Sequence, residues 1–178
     1  LWIGPLLEGL AERRRRVLVT RSWIGPKLLG FNPLFEAPLV GQWNSKLLLP
    51  NGDFPPTVPA LLGLHGHADG SDEFLRNQHG VAYPASGFAI LVHDQRASEA
   101  GANENTAARA LLEAGGSLMA VRIYGTLVGL EFLRALRRID GNRVGLIGHS
   151  SGSLQGLLVV RITDGFATHI NDGRAEYS

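Results

Sequence analysis

The clearest pattern in this chain is a series of short apolar runs, each about as long as a β-strand. In chain order they are 58–64, 88–92, 144–147 and a weaker run at 166–170. Strands that are apolar without alternation are buried on both faces, which is typical of a parallel sheet covered by helices. A shorter strand is predicted over 46–49, and the turn residues 50–53 behind it predict a hairpin.

The segments between these runs carry the three- and four-residue spacing of amphipathic helices. Helices are predicted over 72–83, 117–138 and 151–160, and the longest of them has leucine and valine recurring along one side. Alternation of strand and helix predicts an α/β domain, with a mostly parallel sheet and helices on both faces.

The remaining segments are predicted to lie outside this core. A short amphipathic helix is predicted over 1–16, an irregular arm rich in glycine, proline and tryptophan over 22–45, and a long surface loop over 97–116. The expected organisation is an N-terminal helix and arm over 1–45, followed by the α/β domain over 46–178.

Composition narrows the class of protein without identifying it. The chain has 178 residues, of which 44% are hydrophobic and 19% charged, and its net charge is +1, so no nucleic-acid partner is expected. The charge run Arg13 to Arg16 is expected to be solvated, with a nucleic acid or a lipid headgroup as the alternative. No apolar run approaches the ~18–20 residues of a membrane span, so no membrane partner is expected.

The chain contains no cysteine. This excludes a disulfide framework, a cysteine-ligated zinc site and a cysteine nucleophile. Together with the lack of a visible signal peptide, it favours a cytoplasmic location. Because the chain begins at Leu1 and not at methionine, a signal peptide before Leu1 stays an open alternative.

The strongest chemical signal is Gly148-His149-Ser150-Ser151-Gly152, a G-x-S-x-G sequence directly after the run 144–147. A buried strand before it and a helix after it are the context of a nucleophile elbow, a strained turn that projects a serine hydroxyl from the sheet. Small residues two positions before and after the serine leave room for the crossing backbone. We therefore predict that Ser150 is a nucleophile; the alternative is a glycine-rich turn with an inert serine.

A second signal is the loop 64–70, Leu-His-Gly-His-Ala-Asp-Gly, directly after the run 58–64. Acyl transfer through a serine needs two N–H donors for the tetrahedral oxyanion. The predicted donors are the backbone N–H groups of Ser151, at the start of a helix, and of His67, in this loop.

The same loop admits a metal site built on His65 and His67, with Asp69 nearby. Histidines two positions apart on a loop at a strand end point in different directions, and no third ligand is evident, so no metal is predicted. His65 is expected to brace the loop by hydrogen bonding.

A third signal, His93-Asp94-Gln95-Arg96, follows the run 88–92. Asp94 is predicted to hold the loops around the site through an ion pair with Arg96; a catalytic carboxylate is the alternative. His149, beside the serine, is expected to point away from Ser150 and to pack.

In this order the three signals resemble the α/β-hydrolase superfamily, and more narrowly its branch of dienelactone hydrolases, acetyl esterases and prolyl-oligopeptidase-like proteins. The matching stretches are 62–67, 87–96 and 140–152, within a resemblance over roughly residues 46–172. The resemblance implies an α/β-hydrolase-type fold, a small-molecule ester as substrate, and neither a metal nor an organic cofactor. The chain departs from it at Ala97, Gly125 and Ser153, where members often carry glycine, an acid and glycine.

The resemblance also implies a catalytic acid and a catalytic histidine after the serine. The chain offers one histidine and three acids there: His169, Asp164, Asp172 and Glu176. His169 lies inside a predicted strand and cannot readily reach Ser150, whereas Asp172 is a conceivable acid. The triad acid and histidine are therefore not identifiable in this chain. We expect a hydrolase domain truncated after the strand near 166–171, with a sheet edge open to pairing with a second copy.

The leading expectation is a carboxylic ester hydrolase with Ser150 as nucleophile and a backbone oxyanion hole, whose base and acid come from sequence not present here. One alternative is a prolyl-oligopeptidase-like serine peptidase, which usually carries a propeller domain before the hydrolase domain. Another is a catalytically inactive fragment of the same fold that acts as a binding module. The last is a metal-dependent hydrolase built on the loop histidines.

Overall fold

Within the part of the chain that the structure describes, seven strands form one mixed sheet with helices on both faces. The computed structural model describes residues 16–24, 28–37, 41–67, 69–95, 97 and 103–173. The strands are β1 (Arg16–Ile24), β2 (Leu28–Ala37), β3 (Gly41–Pro50), β4 (Val58–Leu64), β5 (Ala89–His93), β6 (Ile139–His149) and β7 (Thr168–Asp172). The helices are α1 (Ser71–Asn77), α2 (Ala82–Ala85), α3 (Glu104–Glu113), α4 (Leu118–Ala135) and α5 (Ser151–Ile162).

The strand order is β1-β2-β3-β5-β4-β6-β7. The strands β5, β4, β6 and β7 are parallel neighbours, whereas β1, β2 and β3 form an antiparallel meander that joins the sheet through β5. The chain leaves β4 for β5 on one side and later crosses back to β6 on the other. In open α/β sheets such a switch point leaves a crevice at the carboxyl ends of the strands, where ligands bind.

The two faces of the central strands bury different sets of side chains. On one face Leu62, Leu64 and Leu146 pack in the larger core cluster, which includes residues of α4 and α5. On the other face Leu61 and Ile147 join a smaller cluster that includes residues of α1. Because successive side chains of a strand point to opposite faces, the continuous apolar runs fill both cores.

These observations confirm the predicted α/β class with helices on both faces. The run 58–64 coincides with β4, and the other three runs lie within or beside β5, β6 and β7. The long predicted helix 117–138 is α4, which ends at Ala135 with Leu136 as its C-cap. The predicted helix 72–83 is two short helices, α1 and α2.

The prediction of an irregular arm over 22–45 is wrong for the described residues, because β2, the end of β1 and the start of β3 occupy this segment. Glycine and proline lower strand propensity, yet Gly30 pairs with Leu48 and Pro33 with Val19 in the meander. Tertiary pairing overrides local propensity here. The predicted helix over 1–16 lies outside the described residues except for Arg16, which begins β1. The proposed division of the chain at residue 45 would pass through β3.

Two further local predictions are wrong. The segment 97–116 contains α3, whose N-cap Asn103 accepts a hydrogen bond from the backbone N–H of Thr106, at 3.0 Å. Alanines at 107, 108 and 110 favour the helix. The turn after β3 does not close a hairpin, because β5 lies between β3 and β4. The strand β4 is apolar on both faces and takes a central place in the sheet.

The longest of the described helices is α4, with 18 residues. None of them is by itself long and apolar enough to cross a bilayer. The helices α3 and α4 reach that length and composition only when counted together, and they are bent by 99° relative to each other.

The strand β7 lies at the end of the described sheet, where the side chain of Ile170 is 45% exposed. Pairing of this edge with a second copy of the chain stays a prediction.

Candidate active site

The backbone of Ser150 adopts a conformation that serine rarely takes. It lies between β6 and α5 with φ 51° and ψ −118°. Positive φ is uncommon for residues other than glycine; it costs of order 1–3 kcal/mol and persists only where the surrounding structure imposes it. The chain therefore reverses from strand to helix within a single strained residue.

The two glycines of the G-x-S-x-G sequence are required by close backbone contacts. A Cβ atom added at Gly148 would overlap the backbone of Gly152. A Cβ atom added at Gly152 would overlap the carbonyl oxygen of Leu64 and lie 2.7 Å from that of His65. This confirms that small residues two positions before and after Ser150 leave room for the crossing backbone.

Hydrogen bonds hold this turn against two strands. The backbone N–H of Ser150 donates to the carbonyl oxygen of Asp172, the last residue of β7, at 3.1 Å. The buried hydroxyl of Ser153 donates to the carbonyl oxygen of Gly148 at 2.6 Å. The turn is therefore fixed from both sides, as a strained conformation requires.

The loop that follows β4 lies directly against Ser150. A Cβ atom added at Gly66 would lie 3.4 Å from Cβ of Ser150 and 3.2 Å from Cδ2 of His149. No described group accepts the backbone N–H of His67. Ser151 is the first residue of α5, so its backbone N–H has no partner within the helix. The structure thus brings Ser150, Ser151 and the His67 loop to one place; their catalytic roles belong to the proposal below.

His65 is the fully buried brace of this loop. Its Nδ1 pairs with the carbonyl oxygen of Gly66 at 2.9 Å, and its Nε2 accepts the backbone N–H of Gln95, also at 2.9 Å. The Gln95 side-chain amide returns a bond of 3.0 Å to the carbonyl oxygen of His65. Burial lowers the pKa of His65, which keeps the ring neutral. The predicted bracing role of His65 is confirmed.

His67 belongs to a chain of three charged or polar side chains. Its Nδ1 lies 3.0 Å from Oε2 of Glu104, at the start of α3. The other carboxylate oxygen accepts a bond of 3.1 Å from the guanidinium of Arg122 on α4, whose side chain is only 8% exposed. Sequence analysis missed both Glu104 and Arg122. The N-cap signal at Asn103 would have indicated α3, but no local signal indicates the contact with His67.

All six histidines lie in the described part of the chain, and none of them hydrogen-bonds to Oγ of Ser150. His93 is buried and pairs through Nδ1 with the hydroxyl of Ser45 at 2.6 Å. Burial lowers the pKa of His93 to about 3. His169 lies in β7 with its ring against Gly156 of α5, and burial lowers its pKa. As expected, His169 does not reach the serine.

The two remaining carboxylates of interest have different surroundings. Asp94 accepts the backbone N–H of Ser71 at 2.8 Å, so it braces the start of α1, while the predicted partner Arg96 lies outside the described residues. Asp172 places Oδ2 3.5 Å from Nδ1 of His149, whose side chain is 32% exposed. This approach is not a hydrogen bond, and it does not contradict the expectation that His149 packs.

The metal alternative finds no support in the geometry. Both ring nitrogens of His65 are already engaged, by Gly66 and by Gln95. Among the described residues, no group of three or more histidines and carboxylates is placed to hold a metal ion.

A pocket with about 290 Å³ of empty space, part of it open to solvent, lies where the ends of β4 and β5 meet α4 and α5. Leu64, Gln95, Arg122 and Gln155 are among the residues that line it. The Gln155 side chain is held by the hydroxyl of Thr126 at 2.8 Å. The wall of the pocket is therefore ordered by buried polar contacts.

Neither a protein-family model nor a curated protein sequence matches this chain. Solved structures do. Acetyl xylan esterase 1 from Thermoanaerobacterium sp. has a TM-score of 0.77 at 17% identity, over 94% of this chain and 55% of that one. A putative acetyl xylan esterase from Bacteroides fragilis has a TM-score of 0.75 at 16% identity, over 94% and 50%. A glucuronoyl esterase from Solibacter usitatus has a TM-score of 0.64 at 16% identity, over 86% and 51%.

The likeness establishes the fold. The chain has the α/β-hydrolase fold that its sequence resembles, and it spans about half the length of these esterases. At these identities the likeness carries no assignment of activity, and the narrower branch named above stays a prediction.

Proposed function

We propose that this chain carries the nucleophile and the oxyanion hole of a serine hydrolase that acts on small carboxylic esters. The observation that supports this best is the strained backbone of Ser150, with φ 51° and ψ −118°, at the turn from β6 into α5. Strained residues of this kind cluster at active sites. The neighbouring structures named as esterases support the same class of reaction.

In the proposed reaction, Oγ of Ser150 attacks the ester carbonyl carbon and loses its proton to a general base. The oxyanion of the tetrahedral intermediate accepts hydrogen bonds from the backbone N–H groups of His67 and Ser151. Collapse of the intermediate releases the alcohol and leaves an acyl-serine, which water then hydrolyses. We propose that the base and its acid come from sequence beyond these 178 residues.

A second candidate is a binding module of the same fold. It is favoured by one observation: no described histidine hydrogen-bonds to Oγ of Ser150. Without a base the hydroxyl stays protonated and is a weak nucleophile. The pocket between the sheet and α4 would then bind a small molecule without converting it.

Intact-mass analysis after exposure to a fluorophosphonate separates the two candidates. On a longer parent protein that supplies the base, the serine hydrolase predicts a single adduct that is lost in Ser150→Ala and kept in Ser151→Ala, since Ser151 contributes only its backbone N–H. The binding module predicts no adduct on the folded parent either. A folded chain that gave no adduct, and a longer parent protein that gave none either, would exclude the proposed function. If an adduct forms, hydrolysis of acetylated sugars by the unlabelled protein, lost after labelling and in Ser150→Ala, tests the substrate suggested by the xylan esterases.

A further inference from the structure

The buried guanidinium of Arg122 anchors a chain of contacts that ends at the oxyanion loop. Arg122 lies on α4 with 8% of its side chain exposed, and it donates to Glu104 at 3.1 Å. Glu104 lies on α3 with 27% exposed, and its second oxygen lies 3.0 Å from Nδ1 of His67, whose side chain is 68% exposed. The contacts therefore lead from the core to the surface of the proposed site.

From this geometry we infer that Glu104, held by Arg122, is a positioning residue that fixes the backbone N–H of His67 toward the oxyanion. The inference rests on the proposed function. A loop residue whose side chain makes no contact has little to fix the direction of its backbone N–H. Here a carboxylate that is itself tied to a buried cation restrains the ring of His67, and the ring restrains the backbone to which it is attached.

The other side of the same loop is already restrained. His65, two residues earlier, is locked by Gly66 and Gln95, and Gly66 lies against Ser150. The contact with Glu104 adds a side-chain restraint on the other side of Gly66, from α3. An oxyanion donor is effective only when it is aimed before the reaction begins, because reorienting a dipole during the reaction costs free energy.

The first test is the rate of fluorophosphonate labelling of Ser150 in the longer parent protein that supplies the base, because the phosphoryl oxygen occupies the same oxyanion hole. Glu104→Ala is expected to lower the maximal labelling rate roughly ten-fold, less than the 10²–10³ that deletion of an oxyanion-hole donor costs. The half-saturating probe concentration should stay unchanged. Glu104→Gln, which keeps a side-chain oxygen and amide at the same place, should recover part of the rate. Glu113→Ala, at the exposed end of the same helix, is the matched control.

The second test reads the loop directly and does not depend on an active serine. Backbone ¹⁵N relaxation of the His67 amide should show order close to that of the strands in the unchanged chain and in Ser150→Ala, and lower order in Glu104→Ala. Thermal unfolding of each variant excludes a general loss of structure.

The outcomes separate the inference from the proposed function. Slower labelling together with a disordered His67 amide supports the inference. An ordered His67 amide in Glu104→Ala, or a labelling rate equal to that of Glu113→Ala, overturns it. If neither this chain nor a longer parent is labelled at all, the proposed function fails, and the relaxation measurement alone then decides whether Glu104 positions the loop.

Discussion

The backbone N–H of Ser150 donates a hydrogen bond to the carbonyl oxygen of Asp172, at 3.1 Å. Asp172 ends β7, and Ser150 directly follows the last residue of the parallel strand β6; the register of the two strands closes at the pair His149 and Asp172. The strained residue of the turn is thus attached to β7 as well as to its own strand. The sheet thus holds Ser150 in backbone angles that an isolated serine would leave. Substitution of Ser150 can measure the free energy of this strain.

Replacing Ser150 by glycine should stabilise the fold relative to Ser150→Ala. Both variants lose the hydroxyl, but only glycine adopts φ 51° without a Cβ clash. Strain relief of order 1–3 kcal/mol, offset by about 0.5–1 kcal/mol of extra chain entropy, predicts a net gain of about 1 kcal/mol. Urea unfolding of the two variants measures it. Equal stabilities would mean that the serine backbone is not strained.

The hydroxyl of Ser153 should contribute to the same turn. Ser153→Ala leaves the carbonyl oxygen of Gly148 without its bond of 2.6 Å, and the site is buried. A loss of about 1–2 kcal/mol in the free energy of unfolding is expected. The matched control is Ser151→Ala, two residues earlier and half-buried, which should change the free energy of unfolding by less than about 0.5 kcal/mol. A loss of the same size in both variants would contradict the assignment.

Much of this architecture could be predicted from the sequence, for a physical reason that particular segments show. The run 58–64 has to be buried on both faces, so its place inside a parallel sheet follows from its composition alone. The segment 148–152 predicts a tight turn by its own sequence, because glycines on both sides of the serine are needed where backbones cross. Both are local signals.

What could not be predicted depends on contacts between distant parts of the chain. Gly30 and Pro33 lower the strand propensity of their segment. The strand β2 forms there because Gly30 pairs with β3 and Pro33 pairs with β1. The contact between His67 and Glu104 joins the loop after β4 to α3. The sequence predicted the segment that contains α3 to be a surface loop. No periodicity carries that information, since it arises when the sheet has formed.

Two glycines of α4 should respond in opposite ways to the same substitution. A Cβ atom at Gly125 would have no neighbour within 4 Å, whereas one at Gly129 would overlap Nε2 of His93 and lie 2.8 Å from Cδ1 of Leu62. Sequence analysis does not separate them, because both occupy a helix that packs on the sheet.

Gly125→Ala should therefore stabilise the chain by up to about 1 kcal/mol, because alanine is the better helix former. Gly129→Ala should destabilise it by about 1–3 kcal/mol, because the buried ring of His93 has to shift. Chemical denaturation of both variants measures the difference. If Gly129→Ala were the more stable of the two, the close approach of α4 to β5 would be wrong.

The pH dependence of stability should carry the signature of His93. Its pKa is lowered from 6.5 to about 3 by burial, so the folded chain resists protonation of this ring while the unfolded chain accepts it. Below pH 6.5 the unfolded state binds more protons, and stability falls as pH falls toward the folded value of about 3. Each such histidine contributes a slope of at most about 1.4 kcal/mol per pH unit.

His65 and His169 also have lowered pKa values and act in the same direction, so the informative quantity is a difference between variants. His93→Asn removes the titrating ring and keeps a side chain that can bond to Ser45. It should be less stable than the unchanged chain at neutral pH, and the gap should narrow as pH falls from 6.5 to about 5, where most carboxylates are still ionised. Unfolding curves at both pH values measure the gap. A gap that stayed constant would mean that His93 is accessible to protons in the folded chain, and the packing of its ring between β5 and α4 would have to be revised.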